Sequence, residues 1–263
     1  MPEIRPAFDD ADAYERYMGR WSRAIGEKFL AWLAPPRDAR WLDIGCGTGA
    51  FSRLIAQHCA PTSLSGIDPS AAQIDFARAQ LPATDLRVAD SMALPFADAA
   101  FDVVASALVL HFIPDRGKAF AEMKRVVRPG GVVSAYTWQR STKDDFAPYA
   151  AMLKGLAAIG VEAMRSPTVP EQQLAGLRAA AEAAGLAAID VAEIEAKQSF
   201  ADFDDYWAVQ TLTVSPVGKT VAKLDDAQRA RLRETMRGFV PIAADGSITY
   251  AARAVAFKAR RPD

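Results

Sequence analysis

Thiols and imidazoles are scarce here: Cys46 and Cys59, His58 and His111 are the only cysteines and histidines among 263 residues. With no C-x-x-C spacing, a disulfide framework or a Cys/His metal cluster is not expected, and a reducing cytoplasm is the simplest setting. Long apolar runs are also missing. No uncharged stretch reaches the roughly 18 residues of a membrane span, and the start, "MPEIRPAFDDADAYERYMGRW", has no apolar signal region. The expectation is a soluble, non-exported chain with no membrane span. Nor is there an excess charge of either sign. Lys and Arg number 31 against 32 Asp and Glu, a net charge of −1, which gives no general attraction to nucleic acid or an anionic membrane. No repeat of fixed period is visible, and alanine-rich pieces such as "LRAAAEAAGLAAI" read as helix.

What is present is an ordinary globular composition, 51% hydrophobic and 24% charged, and a strong alternation of element types. "RWLDI" (40–44), "SLSGID" (63–68), "LRVAD" (86–90), "FDVVASALVL" (101–110) and "VVSAYTW" (132–138) are short, apolar and strand-like. Between them lie helical patterns: "GAFSRLIAQHC", "SAAQIDFARAQL" with Ser70 as N-cap, and "DRGKAFAEMKRVV" ended by "RPGG". Repeated βα units predict a doubly wound, Rossmann-like, mostly parallel sheet. Later, helical segments near 145–160 and 171–184 and strand-like runs at 187–200 and 247–259 bracket an insertion at 202–246. The late strands are expected as an antiparallel edge hairpin making seven strands in all, with the insertion folded over the top. The aromatics Phe203, Tyr206, Trp207 and Phe239 are expected either in a satellite core or against a ligand.

Ligands of such sheets bind beyond the carboxyl ends of the strands, and the most unusual stretch, "DIGCGTG" (43–49), falls at such an end. Gly45, Gly47 and Gly49 permit a tight turn and close approach of a ligand to the backbone. Two readings stay open at this point. Gly45-x-Gly47-x-x-Ala50 with Asp68 fits the dinucleotide fingerprint of nicotinamide enzymes. Asp43, two positions before the first glycine, argues the other way, because a negative charge gains nothing beside a pyrophosphate. A ligand with a cationic end suits it better.

The ordered set "WLDIGCGTGAFS", "GIDPS", "RVADSMALPF", "FDVVASALVLHFIPD" and "EMKRVVRPGGVV" resembles the successive motifs of class I S-adenosylmethionine-dependent methyltransferases, closest to the ubiquinone/menaquinone-biosynthesis-like (type 11) branch. The resemblance covers about residues 40 to 138. It implies that Asp43, Gly45, Cys46, Gly47 and Thr48 surround the methionine part of the cofactor. Asp68, with Pro69 beside it, would bond the ribose hydroxyls; Asp90, with Ser91 and Met92, would hold the adenine; Ala107 and Leu108 would lie near the sulfonium. It further implies an N-terminal helical cap in which Tyr17, Arg20 and Trp21 meet the methionine end, Arg20 as carboxylate partner and the rings by cation–π attraction. Ordinary helix packing is the competing reading for these three.

The expected map is one methyltransferase domain over 1–263: cap helices at 1–39, a cofactor-binding core at 40–138, acceptor-side insertions at 139–170 and 202–246, and late edge strands. The expected reaction is methyl transfer from S-adenosylmethionine, with S-adenosylhomocysteine as product, to a small, largely apolar or aromatic acceptor. His111 stands where a base would be needed, or merely shapes the pocket. A nicotinamide-dependent oxidoreductase and a non-catalytic cofactor-binding protein are the alternatives. No metal is expected, and the assembly is a monomer or homodimer.

Overall fold

The computed structural model describes residue 13 and residues 15–140, 147–163 and 168–263. Seven strands form one sheet in the order β3-β2-β1-β4-β5-β7-β6. They are β1 (Arg40–Ile44), β2 (Ser63–Asp68), β3 (Asp85–Val88), β4 (Phe101–Ala107), β5 (Val127–Trp138), β6 (Ala187–Phe200) and β7 (Ile248–Arg260). β1 to β5 pair in parallel, whereas β7 runs antiparallel to both β5 and β6. The chain reverses its direction of travel across the sheet between β1 and β4, and sheets of this kind bind ligands at the carboxyl ends of the strands beside such a switch point.

Trp41, Leu42, Asp43 and Ile44 of β1 are all buried, so the strand is covered on both faces, as expected of a central parallel strand. On one face lie α1 (Arg20–Leu33) and α2 (Ala50–His58). Trp21, Ile25 and Phe29 recur every four residues of α1 and pack with Phe51, Leu54, Trp41 and Tyr136. On the other face, after α3 (Ala71–Gln80), α4 (Arg116–Val126) supplies Phe120 and Met123, which pack with Leu42, Ile44, Val133 and Phe257. α3 starts as its sequence signals, with Ser70 Oγ accepting from Gln73 N at 3.4 Å.

The insertions fold into helices: α5 (Ala147–Ala158), then α6 (Leu174–Ala183) beside β6, and α7 (Phe203–Gln210), α8 (Pro216–Val221) and α9 (Asp226–Met236). α5 packs against α7, α8 and α9, and α7 against β6 and the single π-helical turn Glu15–Gly19 that precedes α1. Phe203, Tyr206 and Trp207 are not in a satellite core. They belong to the same apolar cluster as Trp21, Phe29 and Trp138, so the cap and this face of the sheet share one core. Phe239 differs, being 41% exposed. No helix of the described residues is long and apolar enough to cross a membrane.

At the amino end of the sheet, Asp102 ties three strands. It accepts from Arg40 N at 2.8 Å and Arg40 Nε at 3.0 Å, and from Arg128 Nε at 2.6 Å. The Arg40 guanidinium, with Arg128, holds its carboxyl well below the usual carboxylate range. Stability from such a depressed group is present above its unfolded value of 3.8 and is lost as pH falls. Asp102→Asn should therefore cost about 1–2 kcal/mol at pH 7, because charge-assisted bonds are replaced by neutral ones. Urea melts should show the difference shrinking steadily below pH 4.

Candidate functional site

The loop after β1 is held from within. Gly45 N and Cys46 N both donate to Ile67 O, at 2.8 and 2.9 Å, and Gly49 N donates to Cys46 O at 2.8 Å. Gly47 N donates to the Asp68 carboxylate at 3.1 Å. Four backbone donors of the turn are thus satisfied by the protein itself. Gly45, at φ +72°, has no room for a side chain, since a Cβ would stand 2.4 Å from a Val109 methyl. Gly47, at φ +54°, is different: only the Gln73 amide oxygen lies near where its Cβ would be, at 3.6 Å. An open seat at that backbone atom suits close approach by a ligand.

Asp68 ends β2 beside this loop. One oxygen accepts from Gly47 N, the other from Ser70 N at 2.9 Å. Burial pushes its carboxyl up, and these two N–H groups pull it back down. A carboxylate has about four lone-pair sites, so two remain open to further donors after the backbone has fixed its plane. Pro69 follows it at the surface. Asp90, after β3, is exposed; its Oδ1 accepts from Met92 N at 2.8 Å in a local turn. Ser91 and Met92 are half-buried in the same turn.

Asp43 departs from the simple picture of a residue facing the ligand. It is fully buried, and its Oδ2 accepts from Ser52 Oγ in the first turn of α2 at 2.6 Å. Its Oδ1 has no hydrogen-bond partner among the described residues. Burial pushes its carboxyl up to about 7, opposed by the Ser52 bond. Asp43 therefore lies beneath the glycine loop. Cys46 likewise sends its side chain inward, packing with Ile74, Ala77 and Leu86. Burial raises its thiol well above the ordinary value, leaving it protonated.

Thr48 faces the N-terminal segment. Its hydroxyl donates to Glu15 Oε2 at 3.1 Å, and its carbonyl accepts from Arg53 Nη1 at 3.1 Å. Arg23 Nη1 reaches Glu15 Oε1 at 3.0 Å. Glu15, Arg23, Ser52 and Arg53 are polar neighbours of the loop that the sequence reading did not single out. The cap thus touches the glycine turn through Glu15. Tyr17 sits in the π-helical turn, its hydroxyl pushed up to about 12 by burial and eased by a bond to Ser215. Trp21 is 1% exposed and meets Trp138 edge-on, ring centroids 5.7 Å apart, as a core residue. Arg20 opens α1, and its side chain lies outside the described residues.

At the carboxyl end of β4, Ala107 is half-buried and Leu108 takes a left-handed backbone, φ +60°, with its N–H on Tyr136 O at 2.8 Å. A leucine rarely adopts that conformation, and such strain concentrates at ligand sites. The chain then turns through a 3-10 turn (Leu110–Phe112). His111 Nδ1 meets Thr137 Oγ1 at 2.9 Å, and its ring lies 3.9 Å from that of Phe112. Burial, and secondarily the positive charge of Arg140, lower the imidazole to about 3. His111 is neutral at physiological pH and a weak base.

Residues 42–135 match the family described as Methyltransferase domain. The match lies over the part of the sheet that holds the switch-point loop, and the seven-stranded order is that of a Rossmann-like methyltransferase fold. A malonyl-(acyl-carrier protein) O-methyltransferase of Pectobacterium atrosepticum is 35% identical over 127 residues, 48% of this chain and 49% of the relative. The chain spans about half the length of the curated relatives it matches. Among solved structures, Haemonchus contortus phosphoethanolamine N-methyltransferase 2 in complex with S-adenosyl-L-methionine aligns with TM-score 0.59 at 18% identity, covering 99% of this chain and 59% of that one. The cyclase SpnF aligns with TM-score 0.53 at 20% identity, covering 93% and 81%. A shared fold therefore does not set the reaction.

Proposed function

We propose that this chain binds S-adenosylmethionine at the switch point and transfers its methyl group to a small organic acceptor held between the strand ends and the helical cap. One observation carries the choice of cofactor: the glycine loop spends its backbone donors internally, on Ile67 O, Cys46 O and the Asp68 carboxylate. A pyrophosphate cradle needs such donors free and aimed at the anion. Here a carboxylate occupies one of them. Asp68 is left with acceptor sites for a ribose diol, and Gly47 leaves room for the ligand beside it.

When bound, S-adenosylmethionine supplies a methyl carbon made electrophilic by a sulfonium. The protein's share of the work is to hold donor and acceptor in line, which can supply several kcal/mol of barrier lowering, and to exclude water. Asp68 and Asp90 orient the nucleoside by accepting from it. Leu108 and Ala107 give an apolar floor near the reacting carbon, where dispersal of charge during transfer is favoured. Thr48 and Glu15 hold the cap to the loop, and Tyr17 forms part of the wall. The apolar residues at the end of β4, Ala107 and Leu108, favour a small acceptor with apolar parts.

The nicotinamide reading is separated by calorimetry with S-adenosylhomocysteine, NAD and NADP. Micromolar binding of the thioether and none of either dinucleotide is the expected result. Binding of a dinucleotide alone would overturn the proposal.

A further inference from the structure

A carboxylate buried with no cation beside it is costly, and such a group sheds its charge by taking a proton. Asp43 is placed in this way. Its side chain is wholly buried, Oδ2 accepts from Ser52 Oγ at 2.6 Å, and Oδ1 has no hydrogen-bond partner among the described residues. The charge it feels is a like one, that of Asp68 on β2. Its strand neighbours are uncharged, Gly66 of β2 and Ala105 of β4. The loop adds the Cys46 thiol, which burial keeps protonated, and α1 lays apolar Trp21, Ile25 and Phe29 over the same face of the sheet. Around Thr48, the Glu15 carboxylate is spent on Arg23 Nη1 at 3.0 Å and Arg53 Nη2 at 3.5 Å. Burial thus sets the Asp43 carboxyl at about 7, where a modest added field decides its charge.

Resting on the methyl-transfer reading above, we infer that Asp43 reads the charge of the methyl donor: protonated in the cofactor-free chain, it gives its proton to solvent when S-adenosylmethionine binds and regains one when the neutral thioether leaves. Its position supports this. Asp43 precedes Gly45 by two residues, a span of roughly 7 Å along a strand, so a ligand on the glycine turn sits close above it. A field reaching a buried group is screened far less than one between exposed charges. The ionised form has a seat ready, with the Ser52 hydroxyl already donating and the first turn of α2 favouring negative charge. What the chain itself does not supply is a cation. S-adenosylmethionine and S-adenosylhomocysteine share the adenosine, ammonium and carboxylate and differ by one methyl group and one positive charge. The side chain that tightens the hold on the donor therefore loosens it on the product. Protons balance over the cycle, one leaving as the donor enters and one returning as the product departs. Asp43 is a positioning residue that sets donor specificity, and the transferred methyl never touches it.

Calorimetry on the intact chain at pH 6.5, in MES and in imidazole, counts the protons released on binding, because the two buffers take up a proton with different heats. S-adenosylmethionine should release about 0.5–0.8 proton, and S-adenosylhomocysteine less than half as much. Affinity for the donor should rise about fivefold from pH 5.5 to 6.5 and level off above pH 8, the direction required of a group that holds its proton less tightly in the complex. Asp43→Asn should abolish the proton release and flatten that profile. At pH 8 it should weaken S-adenosylmethionine at least 10-fold more than S-adenosylhomocysteine, a split that a merely structural role would not give. No release by the donor, equal release by donor and product, or unchanged release in Asp43→Asn would overturn the inference. If Asp43→Asn does not fold, the comparison of donor and product on the unaltered chain decides alone. Failure to bind S-adenosylhomocysteine at all would instead remove the methyl-transfer reading on which the inference stands.

Discussion

Replacing Asp68 with alanine is expected to weaken binding of S-adenosylhomocysteine by roughly 10- to 150-fold, or about 1.5–3 kcal/mol, the usual worth of hydrogen bonds to a charged group. The carboxylate is fixed in advance by Gly47 N and Ser70 N, so it loses little freedom when a diol arrives. The same change frees Gly47 N–H. A loop with a newly free donor and one less negative charge should tolerate an anion better, so any residual affinity for NAD should rise rather than fall. Asp68→Asn keeps one acceptor oxygen and should lose less than alanine does. Calorimetry on the folded variants measures all three. Unchanged affinity for the thioether in Asp68→Ala would show that the ribose does not sit there.

Asp43→Asn should stabilise the cofactor-free protein at pH 8 by roughly 1–3 kcal/mol, because each unit of pKa displacement corresponds to about 1.36 kcal/mol and local relaxation recovers part of it. The sign follows from the direction of the shift. Burial raises the folded-state value of Asp43 from 3.8 to about 7. Its contribution is fully present below 3.8 and is lost as pH rises through about 7. Asparagine can still accept from Ser52, and it carries no charge to bury. The advantage of the variant should vanish near pH 4, where the native carboxyl is protonated. His111 acts oppositely. Its value falls from 6.5 to about 3, so its contribution is present above 6.5 and is lost as pH falls toward 3. The two slopes offset each other between about pH 4 and 6.5 in the native chain. Asp43→Asn should expose the His111 slope, with stability rising with pH across that window in urea melts. An Asp43→Asn protein less stable than the native at pH 8 would contradict the assignment of a buried, cost-bearing charge.

Much of this was readable from residues 40 to 138, because short apolar runs in a parallel sheet are buried on both sides and glycine marks their ends. The placement of "RWLDI" and "SLSGID" agrees residue for residue with β1 and β2. "FDVVASALVL" reads as one long strand, but the strand stops at Ala107 because Leu108 turns left-handed. No local pattern announces that conformation in a leucine; the fold imposes it through the Tyr136 carbonyl. Asp43 was legible as unusual but not as buried. Strand alternation puts it on the same face as Trp41, and only the serine nine residues on, Ser52, hints at an internal partner. The cap was least legible. Its short helices show no clean apolar stripe, since Phe203, Tyr206 and Trp207 are buried by contact with α5 and the N-terminal turn, elements far away in sequence.

The most direct test of the central claim is a crystal structure of the chain with S-adenosylhomocysteine. The ribose hydroxyls are expected on the Asp68 carboxylate, the adenine beside Asp90 and Met92, and the sulfur near Leu108. A ligand lying elsewhere, or a glycine loop whose Gly47 N–H has left Asp68 to hold a phosphate from the medium, would contradict it.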